Sequence, residues 1–217
     1  MIDNLNHIRD MIDRHGQGEV TLIAVTKYQT IEDTNAIIEL GVKDIGESRA
    51  QDLEQKLPDI SPEARIHFIG HLQRNKVKDI IRHVTLIHSV DSFRLARQID
   101  RLARENELVM DILVQVNIAH EDAKWGFDED ELDQVLQDIA ELPNVRIQGL
   151  MMMAPMVEDP EEVRGYFRKM KELFDYYADL NYNNVYMKYL SMGMTNDYKI
   201  ALEEGSNMIR IGTALFQ

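Results

Sequence analysis

The sequence predicts an α/β protein, a (β/α)8 TIM barrel with an extra helix at its N-terminus. Eight short runs rich in Ile, Val, Leu or Met alternate with helix-like patterns, and each run is too continuous to be half exposed. Such runs suit a parallel sheet covered by helices. A strand and helix together take about 25 residues, a repeat that fits a closed barrel. An open doubly wound sheet would give a similar alternation, but no strand is followed by the dinucleotide turn G-x-G-x-x-G, so the barrel is preferred. One domain, residues 1–217, takes up the whole sequence, with no linker, low-complexity stretch or internal repeat beyond the βα alternation.

The chain opens with MIDNLNHIRDMIDRHG, amphipathic and mixed in charge, which reads as the extra helix. The first strand is expected over Leu22–Thr26, followed by a helix Ile31–Leu40 that Gly41 stops. A second strand near Asp44–Ile45 leads to a helix Arg49–Lys56 before Pro58. Strands Ile66–Ile69 and Leu86–Ser89 flank a helix Lys76–His83, and a helix Phe93–Glu105 follows. A strand Ile112–Asn117 precedes a helix Glu129–Glu141 that stops before Pro143. A strand Arg146–Met152 then precedes a helix Pro160–Leu180, with Pro160 in its first turn and the acidic run EDPEE complementing its positive end. Strand Tyr186–Ser191, helix Asn196–Glu204 with Gly205 at the C′ position, and strand Met208–Ile211 complete the order.

Composition narrows the function. Hydrophobic residues make up 44% and charged residues 29%, the balance of a folded globular protein. The net charge of −14 leaves no basic stripe to displace counterions, which argues against nucleic-acid binding. No cysteine is present, so disulfides, thiolate catalysis and cysteine-held metals are excluded. No run reaches the ~18 apolar residues of a membrane span and the N-terminus lacks a signal-peptide pattern, so a cytoplasmic protein is expected.

In such a barrel the functional residues are expected where strands end, so the strand ends carry the search. Strand one ends in Lys27, the last residue of AVTK. A lysine there either snorkels to water or is held with its amine desolvated, as imine formation with an aldehyde requires. The residue alone leaves both readings open. In MIRIGTALF, Arg210 alternates with Ile209 and Ile211, so it points away from their face and demands a partner. Gly212 and Thr213 then offer a close backbone and a hydroxyl at a short helix start, equipment suited to a phosphate. LSMGMTNDYK supplies a second candidate anion site with Ser191, Gly193 and Thr195 or Asn196, although its hydroxyls could equally cap the following helix.

Other unusual residues carry less. His67 and His71 are four apart, but IHFIGHL reads as strand into turn, so no metal site is expected and packing or hydrogen bonding is. The run MMMAPM, Met151 to Met156, reads as filling at the barrel top. Tyr28 and Trp125 are rim aromatics without an assigned role.

The stretches AVTK, IGES, HFIGHLQRNK, GLMMMAP, LSMGMTND and RIGTALF, taken in order, resemble the pyridoxal phosphate homeostasis proteins over nearly the whole chain. The resemblance implies a fold like the barrel domain of alanine racemase (its N-terminal domain) and pyridoxal 5′-phosphate (PLP) as cofactor, held as a Schiff base (aldimine) on Lys27. It assigns Arg210 to the pyridine nitrogen, and Ser191, Gly212 and Thr213 to the phosphate. It implies a role in intracellular PLP homeostasis without catalysis, with PLP-dependent apoenzymes as recipients; the acidic surface of the barrel suits a monomer. An arginine at the ring nitrogen disfavours ring protonation and weakens the cofactor as an electron sink. Alanine racemases take their second base from an additional domain and a partner subunit, which this chain is expected to lack. The alternative is a PLP-dependent amino-acid racemase with Lys27 as one base and Tyr28 or His71 as the other; a metal-dependent hydrolase is a third reading. Two departures stand out: the family commonly reads GEN where this chain has Ser48, and AKWGF replaces smaller residues.

Overall fold

In a computed structural model, which describes residues 1–119 and 125–217, parallel strands close into a barrel in sequence order, β1 to β8. They are β1 Thr21–Val25, β2 Asp44–Glu47, β3 Arg65–Phe68, β4 Leu86–Val90, β5 Met110–Gln115, β6 Val145–Met151, β7 Val185–Ser191 and β8 Met208–Ile211. The seam closes in register, with Thr21 opposite Met208 and Ala24 opposite Ile211. The helices are α1 Ile2–His15, α2 Ile31–Glu39, α3 Ala50–Lys56, α4 Val77–Ile80, α5 Phe93–Glu105, α6 Leu132–Ala140, α7 Arg164–Leu180, α8 Tyr198–Glu203 and α9 Thr213–Phe216.

The expected order holds and the boundaries move. β2 runs on to Glu47, past the expected end at Ile45, and β1 stops at Val25, one residue early. The helix expected over Lys76–His83 is a 3-10 turn Arg74–Lys76 followed by the short α4, because Val77, Ile80 and Ile81 are its buried positions and the chain must then reach β4. The helix expected from Asn196 begins at Tyr198, which leaves Thr195 and Asn196 on a loop.

Helix faces follow their apolar spacing. α5 buries Leu95, Ala96, Ile99, Leu102 and Ala103 on one stripe, and Ser92 caps it by accepting from the Leu95 N–H at 3.3 Å. The extra helix α1 buries Leu5 and Ile8 in one cluster with Ile37, Leu202, Ile209, Ile211 and Leu215. It therefore covers the outer face beside the β8–β1 seam.

Strand alternation decides what fills the barrel. Ile209 and Ile211 face the helices, so Met208 and Arg210 face the lumen. Ile23, Leu86, Leu113, Met151 and Met208 form a separate small cluster with Tyr189 packed on it. The rest of the lumen is polar: Asp44, His67, His88, Ser191 and Arg210 are all buried. Each alternates with apolar neighbours such as Ile45, Ile66, Phe68, Ile87 and Leu190, which pack outward.

Asp44 begins β2 and accepts from His67 Nε2 at 3.0 Å, from Arg65 Nε at 2.8 Å and from Arg65 Nη2. Burial pushes its carboxyl upward, but the bonds from His67 and Arg65 together outweigh burial and hold it at about 2. A lowered folded value stabilises the fold above the unfolded value of about 4 and is lost as pH falls toward the folded one. Asp44 is thus expected to contribute about 2 kcal/mol at neutral pH. In chemical unfolding at stepped pH, the stability gap between wild type and Asp44→Asn should narrow between pH ~4 and pH ~2. A gap constant over that window would contradict the assignment.

Candidate functional site

Lys27 sits two residues past β1, on a turn in which the Gln29 N–H donates to the Thr26 carbonyl at 2.9 Å. The base of this turn is fixed from below. The Thr26 N–H donates to the Gly46 carbonyl at 3.0 Å, and Thr26 Oγ1 donates to Glu47 Oε1 at 2.7 Å. Lys56 Nζ donates to the Thr26 carbonyl at 2.7 Å and to Glu47 Oε1 at 3.0 Å. The Glu47 carboxylate is fully buried, and its Oε2 has no hydrogen-bond partner among the described residues. Breaking such a buried pair strands a charge, at a cost of about 3–5 kcal/mol. Lys56→Met is expected to lose stability of that order in denaturant unfolding, because among the described residues Glu47 then keeps the Thr26 hydroxyl alone. A loss below about 1 kcal/mol, the worth of an exposed pair, would contradict the role given to Lys56.

Arg210 enters from the opposite side of the seam. Its side chain is buried, donating from Nη1 to Ser191 Oγ at 2.5 Å and from Nη2 to the Met152 carbonyl at 2.9 Å. Burial pushes the guanidinium down to about 10, opposed by the Asp197 carboxylate. Burial in turn pushes the Asp197 carboxyl up, opposed by the Met194 N–H, which donates to Oδ1 at 2.6 Å, and by Arg210. No carboxylate forms an ion pair with Arg210 among the described residues.

The loop after β7 is shaped by Gly193. Its φ of +95° suits glycine, and a Cβ there would lie 2.6 Å from the Ala201 Cβ. The Arg210 N–H donates to the Gly193 carbonyl at 3.0 Å, which ties this loop to β8. Thr195 Oγ1 accepts from the Ala214 N–H at 3.4 Å and so joins the loop to α9.

These pieces meet at one mouth. A cavity of about 270 Å³ is lined by Lys27, Thr195, Asp197, Arg210, Gly212 and Thr213. A second recess of about 440 Å³ shares Val25, Lys27, Met194 and Arg210 with it and extends to Tyr28, His71 and Trp125. Lys27 Nζ lies 5.1 Å from the centre of the Tyr28 ring, which is 72% exposed. His71 stacks on Trp125 with ring centres 3.8 Å apart, and His71 Nδ1 lies 2.9 Å from Asp91 Oδ2. Trp125, expected at the rim without an assigned role, thereby gains a stacking partner there; Ala123 and Lys124 of AKWGF lie outside the described residues.

Of the residues singled out by sequence, the fold brings Lys27, Arg210, Gly212 and Thr213 to one cavity. Ser191 departs from its expected place. It is fully buried below the mouth, with Oγ between Arg210 Nη1 and His88 Nδ1, because it alternates with the outward Leu190 at the end of β7. The hydroxyl of that segment on the cavity wall is Thr195, where it helps line the mouth. Met151 and Met152 are buried at the barrel top, whereas Met156 is 97% exposed at the mouth.

A family model described as alanine racemase, N-terminal domain, matches residues 1–217. A pyridoxal phosphate homeostasis protein of Aquifex aeolicus is 41% identical over 98% of this chain and 93% of its own. The chain belongs to the pyridoxal phosphate homeostasis protein family. Within the solved structures, PipY of Synechococcus elongatus without PLP superposes with a TM-score of 0.91 at 30% identity, covering 99% of both chains. PipY with PLP bound superposes with a TM-score of 0.86 at 31% identity, again over 99% of both chains. Among the described residues, no helix is long and apolar enough to cross a membrane.

Proposed function

We propose that the chain binds PLP at the barrel mouth and serves PLP homeostasis as a carrier rather than as an enzyme. The relatives named for that role and the PLP-bound PipY support the reading. The observation that carries it is the shared cavity, where a lysine amine, a buried guanidinium and two threonine hydroxyls converge. PLP presents an aldehyde, a ring nitrogen and a phosphate, and this wall offers a partner of the right chemistry for each.

In this reading Lys27 provides the amine that attaches the carbonyl, and its turn is fixed by Thr26, Glu47 and Lys56 so that the amine stays at the mouth. Gly212, Thr213 and Thr195 receive the phosphate. A Cβ at Gly212 would meet nothing nearer than the Val25 Cβ at 3.4 Å, so its backbone stays open to close approach by a phosphate. Arg210 meets the ring nitrogen as a donor, and Ser191 acts through Arg210 rather than on the phosphate. Bound PLP supplies an electron sink for carbanions at an amino-acid α-carbon. An arginine, which yields its proton with difficulty, restrains that sink by keeping the ring nitrogen unprotonated. The chain acts as one monomeric barrel domain and passes PLP to PLP-dependent apoenzymes.

Incubating the PLP-loaded chain with a panel of amino acids in deuterated water tests the carrier against the racemase. The expected result is stable retention of PLP with no deuterium entering the α-carbon. Rapid exchange that depends on Lys27 would establish the enzyme instead.

A further inference from the structure

Below the mouth the lumen holds a continuous line of buried polar side chains that cofactor attachment does not use. Arg210 Nη1 lies 2.5 Å from Ser191 Oγ, and Ser191 Oγ lies 3.0 Å from His88 Nδ1. His88 Nε2 lies 3.0 Å from His67 Nδ1, and His67 Nε2 lies 3.0 Å from Asp44 Oδ1. The line starts at the mouth and ends at a cavity of about 280 Å³, lined by Asp44, Arg65 and His67, where Asp44 also binds Arg65. It crosses the lumen through β8, β7, β4, β3 and β2 in turn.

The chemistry of its two ends fixes the protons between them. A guanidinium only donates and a carboxylate only accepts, while a hydroxyl and a neutral imidazole each donate once and accept. One order then places a single proton in every contact: Arg210 donates to Ser191, Ser191 to His88, His88 to His67 and His67 to Asp44. Both rings are neutral in that order, each with its proton on Nε2. A second proton on His67 would reverse the middle of the line, and Ser191 Oγ would then receive two donors while its own buried hydroxyl proton lost its acceptor. Burial holds His88 well below its usual range, with the nearby Arg210 adding to the effect, in keeping with a neutral ring.

In the one-way order every bond dipole turns its negative end toward Arg210 and its positive end toward Asp44. The buried cation, which has no ion pair among the described residues, is thereby matched to a carboxylate on the far side of the lumen. We infer that Asp44, His67, His88 and Ser191 are positioning residues for Arg210: their hydrogen-bonded line fixes the guanidinium by Nη1, leaving its uncommitted N–H groups to the ring of PLP. The inference rests on the reading that Arg210 meets that ring.

Two measurements test it. Nitrogen NMR of the full chain labelled with 15N-histidine, without ligand, should show His67 and His88 neutral and protonated on Nε2 at neutral pH. A proton on Nδ1 of either neutral ring, or a doubly protonated ring at either position, overturns the proton order. In the PLP-loaded chain, Asp44→Asn and His88→Phe should each shift the absorption maximum of bound PLP and weaken its retention about tenfold, with borohydride label still on Lys27. Arg65→Gln removes the other partner of Asp44 and leaves the line intact, so it should keep the wild-type spectrum. Wild-type spectrum and retention in Asp44→Asn and His88→Phe, with label on Lys27, overturn the inference alone, as does an Arg65→Gln shift as large as that of Asp44→Asn. Label away from Lys27 in the wild type overturns the site reading beneath it.

Discussion

Lys27→Ala is expected to lower retention of PLP by at least about a hundredfold, equivalent to about 3 kcal/mol of binding, and to remove its reducible attachment entirely. Among the described residues, Lys27 is the lysine that lines the two recesses of the mouth. On the proposed reading, what remains for PLP is a phosphate contact at Thr195, Gly212 and Thr213 and the donor at Arg210, both reversible. The same substitution should barely touch the fold. Lys27 is half-buried on a turn and its recorded side-chain contact is the Tyr28 ring, and surface changes of this kind stay within about 0.5 kcal/mol. Gel filtration of PLP-saturated wild type and variant, read by absorbance, separates the outcomes. Lys76→Ala, which alters a lysine on a neighbouring groove, is the matched control and should behave as wild type.

Gly149→Ala is expected to have the largest effect on stability, above about 4 kcal/mol, and to yield mostly unfolded or insoluble chain. Gly149 lies in β6 at a φ of +145°, and a Cβ built there would stand 1.9 Å from the Tyr189 carbonyl oxygen of β7. The obstacle is backbone, not a side-chain tip that could swing away. It sits where the β6–β7 register shifts, between the pairs Ile147 with Val185 and Gly149 with Tyr189. In a closed barrel, moving β7 outward breaks its pairing with β8, so the strain has nowhere to go. Gly165→Ala gives the contrast, since its Cβ on α7 would meet nothing within 4 Å. That variant should gain about 0.5–1 kcal/mol from helix propensity. Denaturant unfolding of the two should therefore move in opposite directions; a soluble Gly149→Ala with wild-type stability would mean the strand crossing is looser than described.

Much of this was legible before the fold was known, because the information was local. Strand and helix patterns set the barrel, strand-end position brought Lys27 into view, and the charge of Arg210 within an apolar strand, followed by Gly212 and Thr213, drew attention to the chain's last strand. Ser191 misled because a hydroxyl at a strand end reads the same whether it faces the mouth or the lumen; one step of alternation from Leu190 turned it inward. Thr195, or Asn196, was legible both as part of a candidate anion site and as a helix cap, and Thr195 is a wall residue because α8 starts later, at Tyr198. The line from Arg210 to Asp44 was hidden for a different reason. Its contacts join residues 19 to 103 positions apart, and only closure of the barrel makes His88 and Ser191 neighbours. A signal did exist in the triplets Ile-His-Phe and Ile-Arg-Ile, each a polar residue set between apolar ones, and in Ile-His-Ser-Val, a polar pair between apolar residues, all within runs otherwise suited to burial. Such a residue must face a polar lumen or find a buried partner.

The central claim is one covalent attachment at the mouth. Borohydride reduction of the PLP-saturated full chain, followed by proteolysis and mass spectrometry, locates it directly. The account predicts a pyridoxyl group on Lys27 and none on Lys56 or Lys76. An unmodified Lys27, with the group on another residue or absent after reduction, would contradict it.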